Sequence, residues 1–105
     1  MKISALTAVA ALLLAAPLSA PTAAAKTMSD EDAAGLFAST CGFCHANGGR
    51  EQGKGPKLMG TKRSDAFIIN RIKQGKEGLM PSFKGALSDG EIRGILHYIR
   101  HLKPD

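Results

Sequence analysis

The stretch Cys41-Gly42-Phe43-Cys44-His45 constrains this 105-residue chain more than any other, because it holds the only two cysteines. Three chemistries fit the spacing: a redox dithiol, half of a zinc site, or an anchor for a covalently attached haem. Each demands a different scaffold. A dithiol of the thioredoxin kind needs strands around it. A zinc site needs further ligands. A haem anchor needs an apolar crevice and a protein ligand for iron.

The amino terminus sets the compartment. Lys2 is followed by the apolar run 3–16 and then by "PLSAPTAAA", small residues mixed with helix breakers. This is a secretory leader pattern, too short to span a membrane. Cleavage after Ala20 would leave Pro21 first. Cleavage after Ala25 satisfies the small-x-small rule at Ala23 and Ala25, so the expected organisation is a signal peptide over 1–25 and one domain over 26–105. Export to the periplasm follows, with no membrane span in the mature chain. An exported cysteine pair would ordinarily form a disulfide. A bridge between residues three apart closes too small a loop to stabilise a fold much.

The full chain carries +5. Removing the leader takes away only Lys2 among the charged residues, leaving 13 basic against 9 acidic side chains, or +4. The cations are scattered, with no dense basic stripe. That excludes nucleic acid as the expected partner and suits an acidic patch on a protein.

Three segments read as helices. In "SDEDAAGLFAST" Ser29 caps, Asp30, Glu31 and Asp32 complement the positive helix start, and Ala33, Leu36 and Phe37 form one face. In "SDAFIINRIKQG" Ser64 or Asp65 caps, Ile68, Ile69 and Ile72 make the stripe, and Gly75 stops it. In "LSDGEIRGILHYIRHLKPD" Ser88 and Glu91 form a capping box, and Ile92, Ile95, Leu96, Ile99 and Leu102 share a face. Residues 46–63 hold five glycines and read as a long loop. No strand pattern and no repeat occurs. The fold class is all-α.

Large apolar residues are few and lie mostly on those helices. A domain this small is marginal on its own core and needs a staple, a metal or another aid. A large flat apolar cofactor would supply the missing core. On one helical turn, positions i and i+3 face the same way, so Cys41 and Cys44 can both form thioethers to one side of a porphyrin. His45 can then bring an imidazole nitrogen beneath the iron. For the sixth iron position the candidates are Met28, Met59, Met80, His97 and His101. Met28 precedes the first helix with nothing rigid to hold it. His97 and His101 point away from the Ile95–Ile99 stripe and read as solvated. Met80, in "EGLMPSF", is restricted by Pro81, and ordinary packing accounts for it equally well.

Residues 33–102 resemble the class I c-type cytochromes, particularly the small soluble single-haem carriers of bacteria and algal thylakoids. "AAGLFASTCGFCH" is similar to their first helix and haem site, "GKGPKLMG" to their G-P-x-L-x-G stretch, and "GLMPSFKGALSDGEI" to the segment before their last helix. The resemblance implies the cytochrome c fold and one haem c bound through Cys41 and Cys44. It implies His45 and Met80 as axial metal ligands, and a bond from His45 to the Pro56 carbonyl. It places Tyr98 near Phe37. The implied function is one-electron transfer between redox proteins by a monomer, not an enzyme, with Lys54, Lys57, Lys76 and Lys84 as a docking rim. The alternative is a haem peroxidase or gas sensor with a displaceable methionine. Two features depart from the family. Ala33 stands where the first helix usually has glycine, eight residues before the first cysteine, so the helix crossing is expected to shift slightly. Tryptophan is absent, and Arg63 and Lys62 are the candidate partners for the haem propionates.

Overall fold

The computed structural model describes residues 1–5, 8, 10–16 and 28–105. The expected cleavage point after Ala25 lies outside the described residues. The described residues before position 17 are exposed. Among the described residues no helix is long and apolar enough to cross a membrane.

Helix α1 spans Asp30–Thr40. The Ser29 hydroxyl accepts the Asp32 N–H at 3.1 Å, and three carboxylates occupy the first turn. Helix α2 spans Asp65–Gln74, with the Ser64 hydroxyl accepting from the Phe67 N–H. Helix α3 spans Asp89–Arg100 and opens on a complete capping box, Glu91 N–H to Ser88 and Ser88 N–H to Glu91. Each start therefore follows the side chain that satisfies its orphan donors. One short 3-10 turn, Asn47–Gly49, lies inside the long loop after the cysteine motif. Among the described residues there is no strand, only two isolated bridges, Lys76 with Met80 and Lys84 with Leu87.

The core is one cluster. Phe37 of α1, Ile68 and Ile72 of α2, and Ile92, Ile95 and Ile99 of α3 are buried together, with Cys41 at the edge. Helices α1 and α3 pack against each other, and α2 packs on α3. Ala33 is buried at 2% exposure, so the crossing tolerates its methyl group. The close approach falls instead at Gly94, where a Cβ would stand 3.0 Å from the Met28 sulfur. Met28 is thereby a packing residue laid across α3. Phe37 and Tyr98 pack with ring centroids 4.7 Å apart and planes tilted by 34°, next to each other as expected.

Candidate functional site

Helix α1 hands the chain directly to the cysteine motif. The N–H groups of Cys41 and Gly42 both end on the Phe37 carbonyl, at 2.7 and 2.9 Å, and those of Cys44 and His45 on the Cys41 carbonyl. This tight turn leaves Cys41 buried, Cys44 half-buried and Phe43 exposed. Both cysteines are free thiols. Burial, and then the neighbouring Cys44, push the Cys41 thiol up to about 11. A redox dithiol depends on a depressed thiol pKa, so the environment opposes that chemistry. Zinc at the motif fares no better: the cleft that Cys41, Cys44 and His45 line offers no further His, Cys, Asp or Glu to complete a tetrahedral set.

His45 is buried and held on two sides. Its Nδ1 donates to the Pro56 carbonyl at 2.8 Å. That bond places a proton on Nδ1, so Nε2 is the ring atom left for a metal. Gly55 lies flat against the ring, where a Cβ would stand 2.7 Å from Cε1. The loop that supplies Gly55 and Pro56 is itself anchored: the Gly55 N–H bonds the Cys44 carbonyl at 2.8 Å. Behind it, the Leu58 and Met59 N–H groups share the Gly49 carbonyl, and the Tyr98 hydroxyl donates to the Gly48 carbonyl. Arg50 reaches the Lys103 carbonyl and the Asp105 carboxylate.

Met80 is presented by a different device. Gly75 ends α2 at φ 68°, and a Cβ there would stand 2.5 Å from the Met80 carbonyl oxygen. The chain then folds back on itself, with Lys76 and Met80 exchanging both backbone bonds at 2.8 Å. Phe83 N–H returns to the Ile72 carbonyl. So the loop is stitched to the end of α2, and Pro81 is one restraint among several.

Cys41, Cys44, His45, Pro56 and Met80 all line one cleft of about 690 Å³. Phe37, Leu58, Phe67, Ile68, Ile72, Phe83, Ile95 and Ile99 form apolar wall. Met28, Met59, His97 and His101 are not among its lining residues. Lys54, Lys57 and Lys76 sit on the cleft; Lys84 does not. Of the two propionate candidates, Arg63 lines it and Lys62 does not. Arg71 also lines it, and both guanidiniums lie over the Phe67 ring, at 4.6 and 5.0 Å. Sequence reading passed over Arg71 and Gly55. The repeated glycine in Gly53-Lys54-Gly55-Pro56 was the available signal for the second.

An apolar cleft with two free thiols at one edge and an oriented imidazole fits a covalently bound haem. Comparison with known proteins agrees. Residues 28–99 match the family described as cytochrome c oxidase, cbb3-type, subunit III, and the chain belongs to it. Fold and site together define a small class I c-type cytochrome, an all-α electron-transport protein whose cofactor is covalently bound haem c. Among relatives, cytochrome c6 of Leptolyngbya boryana is 35% identical over 71 residues, 61% of this chain and 81% of that protein. The cbb3-type cytochrome c oxidase subunit FixP of Bradyrhizobium diazoefficiens is 30% identical over 77 residues, 64% of this chain. The chain spans only 25% of the length of FixP. Among solved structures, a mutant of Kustc0563 superposes with TM-score 0.60 at 28% identity, over 69% of this chain and 99% of that one. Cytochrome c6 from the diatom Phaeodactylum tricornutum gives 0.55 at 28% identity, over 69% and 91%.

Proposed function

We propose that the protein is an exported one-electron carrier with His45 and Met80 as the axial ligands of its haem. One observation carries the reading: His45 is locked through Nδ1 to Pro56, with Nε2 left to bind, in a cleft that Met80 also lines. Bound haem c supplies the one-electron couple of its iron. Cys41 and Cys44 would tether it, and the His45 imidazole and the Met80 thioether sulfur would bind its iron. A soft thioether favours the reduced metal and raises the potential relative to a second histidine. The apolar walls exclude water and disfavour the extra charge of the oxidised state in the same direction. With both ligands bound, the iron would offer no open position to a substrate.

The mouth of the cleft suits partner docking. Phe43 and Leu79 are 82% and 71% exposed. The Lys54 ammonium lies 4.3 Å over the Phe43 ring. An apolar tip ringed by Lys54, Lys57 and Lys76 fits a redox protein bearing an acidic patch. The leader 1–25 delivers the chain to the periplasm, where residues 26–105 act as a monomer. Mass measurement of the exported protein checks the cleavage after Ala25.

Absorption spectra of the reduced protein with and without carbon monoxide test the ligation. The wild type is expected to show a c-type spectrum that carbon monoxide leaves unchanged, and Met80→Ala to bind the gas readily. Ready binding by the wild type would reject the carrier reading in favour of the peroxidase or gas-sensor alternative.

A further inference from the structure

Away from the cleft, at the far end of α3, His97 touches two side chains of metal-binding type, His101 and Asp30. His97 and His101 stand four residues apart, one turn of helix, which sets both imidazoles on one face. Their rings stack at 3.9 Å between centroids with 26° between planes. The His97 Nε2 atom lies 3.3 Å from the Asp30 Oδ1 atom at the start of α1. None of the three lines the haem cleft.

We propose that this cluster is a surface site for one divalent transition-metal ion of the zinc and nickel class, bridging α1 to α3. Two features prepare the ligands. The His101 Nδ1 atom donates to the His97 carbonyl at 2.8 Å, so its Nε2 carries the free lone pair. This is the backbone restraint that metal-binding imidazoles generally have. The second feature is the spacing of His97 from Asp30. Two ligands bound tetrahedrally at zinc distances are about 3.3–3.4 Å apart, and the observed gap is 3.3 Å. A metal entering there would be held by both atoms.

As they stand the three donors do not converge on one point, and among the described residues no group of three or more His, Cys, Asp or Glu is arranged to hold a metal ion. The site is an open chelate completed by water. His101 keeps its backbone bond while the His97 ring and the Asp30 carboxylate turn to meet the ion, because their side chains are 52% and 87% exposed and torsions about the last side-chain bond are broad. Imidazole nitrogen with one carboxylate oxygen suits zinc and nickel better than calcium or magnesium, which take oxygen. Because the ligands come from two helices, bound metal closes the crossing that Ala33, Met28 and Gly94 pack.

The test uses the haem-loaded, untagged protein titrated with zinc sulfate and, separately, nickel chloride, followed by calorimetry and thermal melting. One ion is expected to bind per chain and to raise the melting temperature. His97→Gln and His101→Gln should each weaken binding by about tenfold or more, with the haem spectrum unchanged. Asp30→Asn should weaken it several-fold and reduce the gain in melting temperature. Absence of saturable binding at millimolar metal, or equal affinity in the histidine variants, overturns the site. Unchanged affinity and melting gain in Asp30→Asn overturns the bridge between helices.

Discussion

Gly55→Ala isolates the support of the His45 imidazole. The added Cβ would stand 2.7 Å from Cε1, 2.9 Å from Nδ1 and 3.1 Å from Nε2 of His45. Ordinary carbon contacts begin near 3.5 Å, so the ring has to retreat by roughly 0.5–1 Å. It cannot retreat and keep the 2.8 Å bond to Pro56. Overpacking of this kind costs about 1–3 kcal/mol, and the lost hydrogen bond about 0.5–1.5 kcal/mol more. The sum is about 1.5–4.5 kcal/mol. At roughly 4–8 °C per kcal/mol for a domain of this size, the melting temperature should fall by about 6–36 °C. Gly35→Ala is the contrast. It lies in α1 with nothing within 4 Å of its added Cβ, so it should gain about 0.5–1 kcal/mol from helix propensity. The assay is thermal unfolding of the haem-loaded protein, followed by helical ellipticity and by the haem absorption band. A Gly55→Ala protein that melts with the wild type and keeps its spectrum would refute the argument that this glycine exists to seat the imidazole.

Other outcomes follow from the same structure. Tyr98→Phe removes the 2.8 Å bond to the Gly48 carbonyl and should cost about 0.5–1.5 kcal/mol in urea unfolding, with the haem spectrum unchanged. The Asp89 carboxyl is held below its usual value by its hydrogen bond to Lys73 and by that lysine's charge. A depressed carboxyl contributes stability that is present above the ordinary value near 4 and is lost as pH falls through the folded one. The melting temperatures of wild type and Asp89→Asn should therefore converge on acidification from pH 7 to below 4; a constant gap refutes the linkage. Charge reversal at Lys54 and Lys76 should slow electron exchange with an acidic partner at low salt, and the difference should fade as ionic strength rises. Salt-independent rates would remove the basic rim.

The three helices were legible because their signals are local. Ser29, Ser64 and Ser88 each precede the first helical residue, and the isoleucines of α2 and α3 repeat at helical spacing. The cysteine pair and His45 were legible because all three reactive side chains sit within five residues. The roles of Pro56 and Met80 came from resemblance, since nothing in the spacing alone ties residue 56 to residue 45. The rest was hidden for a physical reason. Lys76 and Met80 are joined by backbone groups, which every residue type carries. Arg50 meets Lys103 and Asp105 across more than fifty positions, and no periodicity marks such a pair. Asn47 holds φ 49° ahead of two glycines that also have positive φ, so the long loop contains an ordered turn that glycine content alone reads as slack.

The self-paired loop that presents Met80 has a mechanical meaning. Lys76 and Met80 complete each other's backbone bonds, and Gly75 and Gly85, both at positive φ, flank the segment. It is tied to α2 as well, through the Phe83 N–H on the Ile72 carbonyl and the Lys84 N–H on the Lys73 carbonyl. The position of Met80 therefore rests on main-chain groups, which side-chain substitutions in the loop leave in place.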